Sequence, residues 1–179
     1  MKQVNWKATA KTGELMVNTY DSTRALETRI LLDLETDTEW KDNGVREEAI
    51  RVAATLFSLF VEKGVVCSLY TNGRDIITGE SPAVSGGGSA SHVRGAKEML
   101  ARLDLTKMCA PAEELTDKIK AIKDTQYIFI TSENGILPTC GEAGKETDGL
   151  TVIFLHRPDG EKAKETDGLQ TVNWEVRYG

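Results

Sequence analysis

The sequence is poor in the residues from which small reactive sites are usually built, with three cysteines and two histidines in 179 residues. Cys67, Cys109 and Cys140 are an odd count with no CxxC spacing, which argues against a disulfide framework and a zinc site and fits free thiols in a reducing compartment. Nothing in the spacing of His92 and His156 marks a pair that would activate one of those thiols. No apolar run reaches the roughly 18 residues that cross a bilayer, and the start lacks the apolar core of a signal peptide. Basic charge is also in deficit. A formal net charge of -6 removes the attraction on which non-specific binding to nucleic acid or anionic lipid relies. Proteins or small ions are the expected partners, with no nucleic acid and no membrane contact by this chain itself.

What is present is ordinary globular material, 40% hydrophobic and 28% charged, long enough for a single domain over 1–179 and too short for a second. Ile30 to Leu34 is a short, nearly continuous apolar run ending in acidic residues, as a buried parallel strand would be. Ala49, Val52, Ala53, Leu56, Phe57 and Phe60 recur at helical spacing between Val45 and Lys63, and Gly64 supplies the stop. Val65 to Tyr70 reads as a strand, and Asp75 to Thr78, beyond the Asn72-Gly73 turn signal, as a short strand pairing with it. Gly86 to Gly88 reads as a flexible loop feeding a helix marked by Val93, Ala96, Met99, Leu100 and Leu103. A third helix is expected from Pro111 to Ile122. Tyr127 to Ile130 and Leu150 to Leu155 read as buried strands, and Val172 to Tyr178 as an alternating edge strand. The segment Lys-Glu-Thr-Asp-Gly-Leu occurs at 145–150 and again at 164–169 and reads as a repeated turn. The order implies an α/β fold, a doubly wound, mostly parallel sheet with helices on both faces, whose ligands sit beyond the carboxyl ends of its strands.

Three loops are candidates for chemistry. Asp33, Glu35 and Asp37 bring three carboxylates together after the first buried strand, either as oxygen ligands for a hard divalent ion or as a solvated acidic loop. Ser85 to Ser91 offers close backbone approach and the hydroxyls of Ser89 and Ser91 at the mouth of a helix, or a plain Gly-Ser loop. Thr131 to Gly135 follows a buried strand, where this fold class places functional side chains, or forms a capped turn. Gly141 to Lys145 has glycine spacing too short for a phosphate loop, and Glu146 stands where a magnesium-holding hydroxyl belongs. Cys67 is expected in the core, with Cys109 and Cys140 in loops. Trp6, Trp40 and Trp174 are scattered and read as packing or edge residues.

The segment Val4 to Val17, with Trp6, the small residues around Lys7 and Lys11, and Leu15-Met16-Val17, resembles the signature of the domain of unknown function family 58. Leu31-Leu32-Asp33, the long helix, Val65 to Gly73 and the Gly-Ser loop follow in that family's order. The resemblance implies a von Willebrand factor type A-like fold working as a protein-interaction module with a MoxR-type AAA+ ATPase. It further implies that 1–28 is an N-terminal signature segment, trimmed from a membrane-anchored protein on the cytoplasmic side of the membrane. The metal-ion-dependent adhesion site of such domains takes an Asp-x-Ser-x-Ser strand end, a Thr and an Asp. Carried over, Asp33 matches the first aspartate, Glu35 and Asp37 replace the two serines, Ser91 takes the Thr position, and Ser132, beside Glu133, takes that of the last aspartate. The expectation is a binding module, not an enzyme, with no cofactor or with Mg2+ or Mn2+ at a degenerate site. Its contacts would be Asp33, Glu35, Asp37, Ser89, Ser91, Ser132 and Glu133. The alternatives are a magnesium-dependent hydrolase or phosphatase using Asp33, and a purely structural domain.

Overall fold

The computed structural model describes residues 2–4, 17–19, 27–36, 43–122, 124–147 and 149–177. Two short strands, β1 (Lys2–Val4) and β2 (Val17–Thr19), form an antiparallel pair of their own. The remaining strands are β3 (Glu27–Leu32), β4 (Val66–Thr71), β5 (Ala83–Gly87), β6 (Thr125–Thr131), β7 (Leu150–His156) and β8 (Gln170–Glu175). They make one sheet in the order β5-β4-β3-β6-β7-β8, parallel throughout except that β5 runs antiparallel to β4. The chain winds outward from β3 to one edge and then crosses back to β6. This is the expected doubly wound arrangement, with its switch point between β3 and β6.

The unbroken apolar character of the central strands follows from burial on both faces. Ile30 and Leu32 of β3, Ile128 and Ile130 of β6, and Ile153 and Leu155 of β7 share one core with helices α1 (Asn43–Glu62) and α2 (Ala90–Ala101). Leu31, Tyr127, Phe129, Val152 and Phe154 point the other way, into a second core with Leu115 of the short helix α3 (Glu113–Thr116) and with Leu137 and Cys140 of α4 (Leu137–Lys145). Helix α1 buries the expected stripe of Ala49, Val52, Ala53, Leu56, Phe57 and Phe60. It ends where Gly64 takes φ +75, its N–H bonding the Val61 carbonyl while the Val65 N–H reaches back to Phe60, a Schellman closure that a β-carbon would strain.

Four local expectations are corrected. Asp75 to Thr78 is a turn, because the Asp75 carboxylate accepts the N–H groups of Ile77 at 2.8 Å and Thr78 at 3.0 Å and pairs with Arg102 at 2.9 Å. The partner of β4 is instead β5, the glycine-rich stretch read as a loop; on an exposed sheet edge few side chains need packing, so glycine is tolerated. The helix expected to run to Ile122 stops at Thr116, because the backbone N–H and carbonyl of Lys120 are both taken by the Tyr127 hydroxyl, at 3.2 and 3.0 Å. Cys140 is not in a loop but buried in α4, which also absorbs Gly141 to Lys145. Both copies of the repeated hexapeptide lead into a strand, β7 or β8. Trp174 sits exposed on β8, and Trp6 and Trp40 lie outside the described residues, as do most of the signature segment and Tyr178.

Phe129→Ala, at a fully buried site, should lower the unfolding free energy by about 3–5 kcal/mol in a denaturant titration. Ile77→Ser, at a site 73% exposed, should change it by no more than about 0.5 kcal/mol.

Candidate functional site at the carboxyl end of the sheet

Asp33 follows β3 directly at the switch point, its N–H bonded to the Ile130 carbonyl at 2.9 Å, and it is 2% exposed. A carboxylate this deep needs donors, and the chain supplies three. Asp33 Oδ1 accepts the Asn72 Nδ2–H at 2.7 Å and the Glu35 N–H at 2.9 Å, and Oδ2 accepts the Thr131 hydroxyl at 2.7 Å. Thr131 Oγ1 in turn accepts the Glu133 N–H at 3.0 Å. The Asn72 amide is oriented by its backbone partners: Oδ1 accepts from Leu34 N–H at 2.9 Å, and Nδ2 also donates to the Ala110 carbonyl at 3.0 Å. Residues from the ends of β3, β4 and β6 therefore meet on one carboxylate, and Asn72 ties the loop after α2 to it through Ala110.

The loop after α2 is held from two further directions. Glu35 Oε2 accepts the Ala112 N–H at 2.9 Å. Arg46, a guanidinium only 3% exposed in the first turn of α1, donates to the Leu105 carbonyl at 2.7 Å and to Cys109 Sγ at 3.3 Å. Gly73 sits so close beneath this junction that a β-carbon would lie 2.9 Å from Leu34 Cδ1. Beside the junction an open cleft of about 680 Å3 runs between Thr36, the segment Ser132 to Gly135, and the segment around His156 and Lys164. The His156 Nδ1–H donates to the Arg157 carbonyl at 2.7 Å.

The structure thus brings Asp33, Glu35, Ser132 and Glu133 to one end of the sheet. Ser89 and Ser91 are not among them. β5 descends along β4, with Ala83 opposite Tyr70 and Gly87 opposite Cys67, so the Gly-Ser segment opens at the amino end of the sheet. At about 3.3 Å per residue this is on the order of 15 Å from Asp33. The Ser89 hydroxyl bonds Ser91 Oγ at 2.7 Å and His92 Nδ1 at 2.8 Å. The residue-by-residue transfer of an adhesion site therefore fails at Ser91, because the strand before it reverses direction. Asp37 lies outside the described residues.

Hard cations take six or more oxygen ligands, magnesium in near-ideal octahedral geometry. Here the Asp33 oxygens are engaged by protein donors, Glu35 caps Ala112, and among the described residues no three His, Cys, Asp or Glu side chains gather in a way that could hold an ion. Among the described residues, this donor set does not fit such an ion. Burial disfavours the thiolate at each cysteine, pushing Cys67 and Cys109 above the ordinary range and Cys140 up to about 12. The residues that sequence reasoning missed are Asn72, noticed only as a turn former, together with Arg46 and Leu105 to Ala112.

These features have relatives. The model of a family described as "Protein of unknown function DUF58" matches residues 1–127. The chain belongs to this family. Among solved structures, the SpRpn10 VWA domain superposes with a TM-score of 0.50 at 15% identity, covering 86% of this chain and 90% of that one. The DUF58 chain therefore has a von Willebrand factor type A-like fold. No curated protein matches it significantly.

Burial raises the Asp33 carboxyl to about 6, against the opposing hydrogen bonds from Glu35, Thr131 and Asn72. A folded-state value above the unfolded one makes this group's contribution greatest below pH about 4 and removes it as pH rises through about 6. In chelator-treated buffer, lowering the pH from 7 to 5 should therefore stabilise the wild type relative to Asp33→Asn. The difference should be on the order of 1 kcal/mol, read from denaturant midpoints.

Proposed function

We propose that the chain is a protein-interaction module, a binding domain and not an enzyme, which docks its partner through the carboxyl end of the sheet. The observation that carries this reading is the exposure of large apolar side chains on loops that are themselves fixed. Ile76 is 67% exposed, Ile77 73% and Met108 86%. Ile76 and Ile77 stand in the turn after β4, whose backbone is bonded to Arg102 and Asp104, and Met108 lies between Asp104 and Ala110, both bonded to the same segment. Apolar groups held rigidly in water suit a docking surface, since little conformational freedom is lost when a partner covers them. Glu35 and Glu133 add negative charge along the same end.

The partner class that the family resemblance implies is a MoxR-type AAA+ ATPase, met at the cytoplasmic side of a membrane. Among the described residues no helix is long and apolar enough to cross one. A hydrolase using Asp33 as nucleophile gains no support from a carboxylate that is 2% exposed with both oxygens engaged.

The reading is tested by biolayer interferometry of the 179-residue chain against a MoxR-type ATPase, with and without a non-hydrolysable ATP analogue. Ile77→Asp and Glu133→Lys should each weaken binding by about tenfold or more, whereas Ser89→Ala with Ser91→Ala, at the far end, should leave it unchanged. Equal binding by all of these variants would remove the carboxyl end as the docking surface.

A further inference from the structure

We propose that the side-chain amide of Asn72 stands in for a divalent cation at Asp33, so that an internal clamp independent of metal holds this end of the domain together. A cation there would have two tasks, to offset the carboxylate and to tie together loops that are distant in sequence. Asn72 performs both. One N–H meets Asp33 Oδ1 at 2.7 Å, the other reaches the Ala110 carbonyl at 3.0 Å, and its oxygen takes the Leu34 N–H at 2.9 Å. Thr131 closes the opposite side on Oδ2 at 2.7 Å. Asn72 is 1% exposed and Asp33 2%, so neither has a face turned to solvent through which an ion could add. For an ion to enter, the Asn72 amide or the Thr131 hydroxyl must be expelled, and a buried polar group left without its partner is costly. The hydroxyls of Ser89 and Ser91, which could have completed a ligand set, belong to the other end of the sheet.

The inference goes beyond the docking reading and is tested without a partner. The wild-type chain, stripped with EDTA, is titrated calorimetrically with MgCl2 and with MnCl2, and its unfolding midpoint is measured in EDTA and in each ion at about 10 mM. The expected result is no saturable heat and a midpoint change below about 1 °C. Asn72→Asp then sets a second carboxylate against Asp33. This variant should unfold at lower temperature in EDTA and recover by about 5 °C or more in magnesium or manganese, because an ion binding only the folded state offsets the repulsion. Saturable binding of either ion by the wild type, lost in Asp33→Ala, would overturn the inference. So would an Asn72→Asp variant as stable as wild type in EDTA, or one weakened in EDTA and rescued by neither ion. If Asn72→Asp does not fold, the wild-type titration decides alone.

Discussion

A carboxylate withdrawn from water must be met by donors, and at Asp33 that requirement organises one whole end of the molecule. Its three hydrogen bonds come from a loop amide, a side chain 39 residues away and a hydroxyl 98 residues away. The two side-chain donors each fix a further group: Thr131 holds the Glu133 amide and Asn72 holds the Ala110 carbonyl. One buried charge thereby sets the relative positions of four chain segments. Buried networks of this kind are stabilising only when every member is satisfied, and every side-chain polar atom of Asn72 and Thr131 is engaged in it.

The location of the network follows from the winding of the chain. The crossing from β5 back to β6 leaves β3 and β6 side by side with connections departing in opposite directions, which opens a crevice at their carboxyl ends. Asp33 fills the bottom of that crevice and the 680 Å3 cleft lies alongside. The two apolar cores beneath hold the strands level, so that the loops above are mounted on rigid elements.

Much of this was legible in the sequence, for identifiable reasons. β3, β6 and β7 declare themselves because residues on both of their faces are buried, and α1 because an apolar stripe and Gly64 are local signals. Asp33 was marked by its place at a strand end. β5 was not legible, since a strand of serine and glycine at a sheet edge carries no apolar pattern, and its pairing is dictated by β4. Helix α4 was hidden by its two glycines, which lower helical propensity, while Gly141 permits close packing against Thr166. Asn72 was legible only as a turn former, because its contacts with Asp33 and Ala110 span about forty residues. Ser91 was misplaced because spacing along the chain carries no information about the direction of the strand before it.

That reversed strand also sets the electrostatics at the carboxyl end of the sheet. Helix α1 leaves the carboxyl end of the sheet and descends, so its positive N-terminal pole faces the junction beside Asp33. Helix α2 starts at the opposite end and rises, because β5 has carried the chain downwards, and it delivers its negative C-terminal pole near Ile76, where the Arg102 carbonyl accepts the Ile76 N–H. An all-parallel sheet would have aimed both helix poles of the same sign at this surface. Here the two oppose each other across it, and a charged partner approaching from solution meets a field with direction as well as sign.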